Sequence, residues 1–287
     1  MREHSLLLNT AVIVTCGVSL IVGCGPRAND RADSASPSGD TATDSKAARR
    51  LLDQAIEACG GSPAFEKLKM CKVIYRTRLL EMAHPTDYEC VVTEDWFKYP
   101  DKIRRTVKTA SGKEMLFTSD GRETWYRADD GKVMKFPAPR RGDAWPPIVE
   151  TLLALRQLRQ DDRSLKLVSV ETIGGQESGC VVITSRGRPA SRLYFDPLTH
   201  YVRRSVKDDF PDVRDAPESL RRPATIEVLF DDQKKVDGVV MATRSTAIQN
   251  GHKMLEVEVL AIEFLKTIDD RLFDKPKEKT EKGAKQK

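Results

Sequence analysis

The sequence predicts a mainly β protein with helices (α+β class), in which a large antiparallel sheet curves into an unclosed β-barrel that the helices cover. Turn dipeptides such as Ser111-Gly112, Asp120-Gly121 and Asn250-Gly251 recur between short segments rich in β-forming residues. Helical periodicity is confined to the start of the folded part and to one mid-chain segment. Ten or more antiparallel strands do not form a flat open sheet, because sheets of that size twist and curl.

Two helices open the folded part. Leu52 and Ile56 belong to an apolar stripe at helical spacing within residues 47–59, and Gly60-Gly61 ends that helix as a C-cap. Ser62-Pro63 then supplies the N-cap and the first residue of a second short helix.

From Lys72 the apolar period changes to two, which predicts a succession of strands. The predicted strands cover residues 72–79, 88–96, 102–108, 113–118, 122–127, 132–136, 165–173, 180–185, 192–196, 201–206, 225–230, 239–248 and 254–264. In the last of them Glu256 and Glu258 share a parity with Leu260, Ile262 and Phe264. This parity predicts one face that changes from polar to apolar along the strand.

A helix from Pro146 to Arg159 interrupts the meander. Its apolar residues recur at helical spacing: Ile148, Leu152, Leu155 and Leu158. We expect this helix to dock as a unit over the sheet and to act as the lid of a cavity.

The N-terminal residues have the layout of a secretory signal, with a weakly basic start, an apolar run over residues 6–20 and small Gly23 before Cys24. Ile21-Val22-Gly23-Cys24 resembles a bacterial lipobox. The resemblance implies cleavage before Cys24, a diacylglycerol on its thiol and a third acyl chain, such as palmitate, on its new amine. Two alternatives are an ordinary cleaved signal and a transmembrane helix, for which the run is short against the roughly 20 residues needed.

Composition divides the 287 residues into four parts. Residues 1–23 are the predicted lipoprotein signal peptide, 24–45 a flexible tether without large apolar residues, 46–274 one folded domain and 275–287 a disordered tail. The tail carries six lysines and two glutamates and so holds most of the formal net charge of +5. The near-balance of charge elsewhere argues against a nucleic-acid partner.

Four cysteines follow Cys24. A disulfide between Cys59 and Cys71, which flank the predicted helix-to-strand corner, and buried free thiols are both open, and a domain of this size does not need a disulfide. The cysteines do not have the spacing of zinc ligands, and the sequence predicts no metal and no cofactor.

Enzymatic motifs are not found. The four histidines do not form His-Glu-x-x-His, and the chain contains neither Gly-x-Ser-x-Gly nor a glycine-rich phosphate loop. Paired aspartates lie at the ends of predicted elements, where Asp is a common turn residue. The sequence therefore favours a protein that is not an enzyme.

Several motifs in a particular order resemble the LolA/LolB/LppX superfamily, the outer-membrane lipoprotein-sorting type, over nearly all of residues 46–274. They are Ala-Ile-Glu-Ala-Cys-Gly-Gly (55–61), Ser119-Asp120-Gly121 leading to Trp125, Leu193-Tyr-Phe-Asp-Pro-Leu-Thr199, Val236-Asp-Gly-Val239, Glu256-Val-Glu-Val259 and Ile268-Asp-Asp-Arg-Leu-Phe273. The resemblance implies an unclosed β-barrel wrapped over helices, with an apolar cavity that holds acyl chains. It identifies no ligand-binding residue.

These observations together predict a lipoprotein of the bacterial cell envelope, anchored by lipid to the outer membrane and facing the periplasm, that binds a lipid or acyl-chain ligand. A structural or sensory envelope module on the same fold is the alternative. Large apolar side chains of the sheet and of the mid-chain helix are the candidates for the cavity wall. They are Leu79, Val92, Trp96, Phe117, Trp125, Leu152 and Leu155.

Overall fold

The helices lie where periodicity predicts them. A computed structural model describes residues 40–80, 89–136, 147–160, 164–173, 176–184, 190–209 and 224–278. Its helices are α1 (Asp40–Ala58), α2 (Gly61–Leu68), α3 (Pro147–Gln160) and a short 3-10 helix (Asp270–Phe273). Because α1 begins at Asp40, the folded chain starts before the boundary expected at residue 46. The predicted signal peptide and Cys24 lie outside the described residues.

Thirteen strands are found in the described part of the chain. They are β1 (Met70–Leu79), β2 (Cys90–Lys98), β3 (Lys102–Thr109), β4 (Glu114–Asp120), β5 (Thr124–Arg127), β6 (Val133–Phe136), β7 (Ser164–Ile173), β8 (Gln176–Thr184), β9 (Ser191–Phe195), β10 (Val202–Asp209), β11 (Ala224–Val236), β12 (Val239–Gln249) and β13 (His252–Phe264).

All of these strands form one antiparallel sheet in the order β6-β5-β4-β3-β2-β1-β13-β12-β11-β10-β9-β8-β7. Two meanders, β1–β6 and β7–β13, are joined where the first strand pairs with the last. Helix α3 lies between β6 and β7 in the chain, and these are the strands at the two edges of the sheet. The prediction of a large unclosed antiparallel sheet with helices is therefore confirmed.

The helices pack against one face of the sheet, which we call the inner face. Helix α1 contacts β7, α2 contacts β1 and α3 contacts β12, and the three helices also contact one another. Their apolar residues join those of the strands in one large core. Alternate strand residues are buried on this face, as the period of two predicts.

A β-bulge in β13 corrects the predicted parity of that strand. Tyr75 of β1 pairs with Val259, whereas Ile74 pairs with Ala261, so the register shifts by one residue at Leu260. Ile262, beyond the bulge, therefore turns to the inner face and packs on the core, although its sequence parity matches that of the outward glutamates. The sequence predicted that one face of β13 changes from polar to apolar, and this prediction is wrong. The extra residue at Leu260 moves the residues that follow it to the opposite face from the one their sequence parity predicts.

The corner between α1 and α2 is attached to the turn between β11 and β12. The amide of Val240 donates to the carbonyl of Cys59 at 3.1 Å. Gly60 has φ of +107° and no room for a Cβ against Gly238, so this position requires glycine. Gly60 also takes the N-cap position of α2, which we expected Ser62 to occupy.

The segment after β13 folds back over the opposite, outer face of the sheet. Lys98 and Lys102 both pair with Asp270, at 2.7 and 3.3 Å, and Phe273 is fully buried where the 3-10 helix contacts β3 and β4. Pro276 is buried as well, so the folded chain extends past the boundary expected at residue 274.

Candidate functional site

A cavity lies between the inner face of β10–β13 and helix α3. Its volume is about 40 Å³, room for roughly three water molecules if each needs about 10–15 Å³. The apolar part of its wall is formed mostly by aliphatic and aromatic side chains. They are Leu152, Val202, Phe230, Val240, Met241, Val257 and Val259.

Polar residues complete the wall of this cavity, and nearly all of them are uncharged. They are Tyr75, Thr151, Tyr201, Gln233, Thr243 and Ser245, together with the charged Arg244. Thr243 donates its hydroxyl hydrogen to the carbonyl of Asp232 at 2.8 Å. The lining thus combines an apolar wall with hydroxyl and amide groups, which is the usual composition of a small-molecule pocket.

Tyr75 connects the cavity to a buried ion pair on the inner face. Its hydroxyl donates to Oδ2 of Asp95 at 3.1 Å, and burial raises the pKa of the tyrosine above its ordinary value. Arg105 donates from Nε to Oδ1 and from Nη2 to Oδ2 of Asp95, both at 2.8 Å. Asp95 is fully buried and Arg105 is 4% exposed, so this fork-shaped pair neutralises both charges inside the protein.

Arg244, at the edge of the cavity, is also matched by carboxylates. Its Nε lies 3.2 Å from Oδ2 of Asp232, and its Nη2 lies 3.7 Å from Oε1 of Glu258. Asp232 has φ of +51°, an uncommon value for a residue other than glycine, although the register of β11 with β12 is unchanged on either side of it, since Asp231 pairs with Arg244 and Gln233 with Ala242.

Helix α3 covers the cavity and is buried on most of its surface. Leu152 lines the cavity, whereas Leu155 is fully buried in the large core. Two ion pairs hold the helix at its surface. Arg156 lies 3.1 Å from Glu66 of α2, and Arg159 lies 3.0 Å from Asp53 of α1. Hydrogen bonds from Lys69 and Arg156 hold the pKa of the Glu66 carboxyl below its ordinary value.

Of the seven candidate lining residues, one, Leu152, lines the cavity. Leu79 is half-buried and packs against the core clusters, and Phe117 is half-buried on the inner face of β4, opposite Arg105 and Tyr126. Leu155 packs in the large core. These three inward residues lie outside the cavity wall.

Val92, Trp96 and Trp125 lie on the outer face, so their assignment to the cavity wall is corrected. Val92 is 37% exposed, and Trp96 donates its indole N–H to Glu94 at 2.8 Å while the ammonium of Lys72 lies 4.8 Å from its ring. Trp125 is buried, but its register with Thr118 places it on the outer face. In β2 the inner face carries Val91, Thr93, Asp95 and Phe97, so apolar residues occur on both faces of that strand.

The cysteines of the folded part are free thiols. Cys59 and Cys71 are buried and unbonded to each other, Cys180 is buried and Cys90 is exposed. Burial raises the pKa of the Cys59 thiol to about 12, and it raises that of Cys71 as well. Cys59 lines the cavity, so its thiol is a protonated, weakly polar part of the wall at neutral pH.

Sequence reasoning missed most of the cavity wall. Val202, Phe230, Met241 and Val257 belong to β10–β13, where alternation predicts their inward orientation. That signal identifies core residues, but it does not distinguish a residue that packs on a helix from one that faces a gap.

The described residues lack a metal site and a membrane-spanning helix. No group of His, Cys, Asp and Glu in them is arranged to hold a metal ion. None of the helices in the same ranges combines the length and the apolar character that crossing a membrane requires.

No family model matches the chain, and no curated protein matches it significantly in sequence. Solved structures do match. A LolA superfamily protein from Nitrosomonas europaea aligns with a TM-score of 0.53 at 14% identity, over 79% of this chain and 97% of its own. A DUF1329 family protein from Desulfovibrio piger gives the same TM-score and coverages at 11% identity. The chain therefore has the fold of the LolA superfamily.

Proposed function

We propose that the protein is a lipid-anchored envelope protein that binds an acyl chain or a similar hydrophobic ligand between α3 and the inner face of β10–β13. The cavity in that place carries the proposal, because its wall is mainly apolar and is edged by a few hydroxyl and amide groups. The Nitrosomonas europaea protein with this fold is named as a LolA superfamily protein. The motifs of this chain resemble the LolA/LolB/LppX superfamily, and that resemblance, which implies a cavity for acyl chains, supports the proposal.

Ligand binding requires α3 or its neighbours to move. An acyl chain is much larger than a space of about 40 Å³. The ion pairs of Arg156 and Arg159 are partly exposed and therefore contribute only about 0–1 kcal/mol each, so they do not fix the helix rigidly. We propose that α3 acts as a lid that the ligand displaces.

The lipid anchor is the second part of the proposal, and Cys24 carries it. Replacing Cys24 with serine removes the thiol that would be acylated, so we expect the Cys24→Ser protein to leave the membrane fraction. Globomycin, which blocks lipoprotein signal cleavage, is expected to arrest the unsubstituted chain alone. Membrane partition and normal processing of Cys24→Ser would contradict the anchor.

A cavity-filling pair of variants tests the ligand site. Val257→Phe adds volume to the cavity wall, whereas Val228→Phe adds the same volume to a buried position of the same core that does not line the cavity. Each overpacked position should cost about 1–3 kcal/mol of stability. We expect Val257→Phe to abolish saturable binding of a fluorescent fatty-acyl probe and Val228→Phe to retain it. Equal binding by both variants would contradict the site.

One observation favours the alternative of a structural or sensory module. Leu155, Leu158 and Ala154 of α3 are at most 1% exposed, so most of the space beneath the sheet is already filled. A protein that only displays this fold to a partner would bind no acyl probe at all. Mass spectrometry of organic extracts from the Cys24→Ser chain separates the two functions, since that chain carries no covalent lipid.

A further inference from the structure

The charges around the cavity indicate which acyl compounds it accepts. This inference rests on the proposed function and deepens it. Among the described residues, Arg105 is the one cation whose side chain is buried, and the bidentate bond to Asp95 neutralises it. Arg244 lies beside two carboxylates, those of Asp232 and Glu258, and Glu258 also pairs with Arg76 at 3.2 Å, so the charges of this group balance.

A free carboxylate or a phosphate in this cavity would meet no unmatched cation among the described residues. Burying an ionised group without a partner of opposite charge is costly. Hydroxyl and amide groups have no such requirement, because a neutral ester or alcohol needs hydrogen bonds alone. The wall supplies such groups in Tyr201, Gln233 and Ser245.

We propose that the cavity selects uncharged acyl compounds, such as acylglycerols with ester and hydroxyl groups, and excludes free fatty acids. Tyr75 separates the cavity from the Asp95–Arg105 pair and holds Asp95 through its hydroxyl, so the buried arginine stays committed to its own carboxylate.

Two probes with the same chain test the selection. The full chain carrying Cys24→Ser is titrated with 1-oleoylglycerol and with oleate at pH 8, each below its critical micelle concentration. We expect the dissociation constant of 1-oleoylglycerol to be lower by about tenfold or more, since a penalty of about 1.4 kcal/mol gives one factor of ten. Oleate binding as tightly as 1-oleoylglycerol would overturn the selection and leave the proposed function standing.

A charge variant tests the cause. Gln233→Arg places an additional cation at the half-buried edge of the cavity, and Gln249→Arg places the same charge on a half-buried residue of β12 away from it. We expect Gln233→Arg to tighten oleate binding and to lower the ratio of the oleate to the 1-oleoylglycerol dissociation constant about tenfold, with no change of that ratio for Gln249→Arg. An unchanged oleate affinity in Gln233→Arg would overturn the inference. Binding of neither probe to any of the proteins would overturn the proposed function, and this inference with it.

Discussion

The two halves of the sheet differ in what covers the same inner face. In the half that includes β9–β13 this face carries large apolar residues such as Leu193, Phe230 and Met241, and the helices pack on it. In β2–β5 the corresponding positions include Thr93, Asp95 and Arg105, which are buried although polar or charged. The first half is thus held by non-directional apolar contact, whereas the second adds hydrogen bonds of fixed geometry to a small apolar cluster of Val91, Val107 and Met115.

This difference explains where the cavity is found. Apolar packing tolerates small gaps, because a gap costs only the contacts that are missing. A buried ion pair tolerates none, since an unpaired charge costs several kcal/mol. The cavity accordingly lies on the apolar side, and Tyr75 marks the limit between the two halves.

The largest expected effect comes from breaking the polar half. Asp95→Ala leaves the Arg105 guanidinium buried without its carboxylate, which should lower the free energy of unfolding by about 3–5 kcal/mol. Urea denaturation measures the loss. The double variant Asp95→Ala, Arg105→Leu removes both charges and should recover most of the stability. A double variant as unstable as the single one would show that the ion pair is not what Asp95 contributes.

Breaking the apolar half should have a position-dependent effect. Leu155→Ala removes a fully buried side chain from filled core and is expected to cost about 2–5 kcal/mol. Leu152→Ala should cost less, because one side of Leu152 already faces the cavity and makes fewer contacts. A bound acyl probe should increase the cost at Leu152 alone. Thermal melts of both variants, with and without the probe, measure these stability losses. Equal losses in the two variants that the probe does not change would contradict a cavity beside Leu152.

A smaller effect is expected on the outer face of the polar half. Deletion of residues 275–287 removes buried Pro276 and should lower stability by about 1 kcal/mol, on the scale of one partly apolar side chain. Deletion of residues 279–287 removes lysines and keeps Pro276, so the melting temperature should stay unchanged. If the two truncated proteins melt together, the packing of Pro276 contributes nothing.

The smallest effect concerns the ion pairs of α3. Arg156→Gln and Arg159→Gln should each change stability by less than about 1 kcal/mol, but they should speed the association of the acyl probe if α3 is the lid. Stopped-flow fluorescence measures the rate.

Lowering the pH should speed association of the acyl probe, as the Arg156→Gln variant is also expected to do. The Glu66 carboxyl has its pKa lowered in the folded protein, so its contribution is present above the ordinary glutamate pKa and is lost as pH falls through the lowered value. If neither the two variants nor acid changes the association rate of the probe, the ion pairs of Arg156 and Arg159 do not control the opening of α3.

Local sequence patterns were sufficient to predict most of the helices and strands. The strand segments and α3 follow from periodicity and turn residues, and α3 begins and ends within one residue of the prediction. The order of motifs also led to the correct fold. These features are encoded by neighbours in sequence, which is why they can be predicted from it.

The candidate site was predicted poorly for two physical reasons. Strand β2 carries apolar residues on both faces, so alternation could not tell Phe97, which is inside, from Trp96, which is outside. The bulge at Leu260 depends on pairing with β1, a strand far away in the chain, and no local signal announces it. The cavity itself arises from the distance between α3 and the sheet, which periodicity does not encode.

The pairing of β1 with β13 has a consequence for how the chain acquires its structure. These strands lie in the interior of the sheet but near opposite ends of the folded sequence, as Cys71 opposite Phe264 illustrates. Contacts between such distant residues form slowly, because a long loop must close before they can be made. If the chain is exported from its N-terminus, β1 emerges early and its partner emerges last. During that interval β1 would expose an unpaired edge, and a holding chaperone would be of most use then.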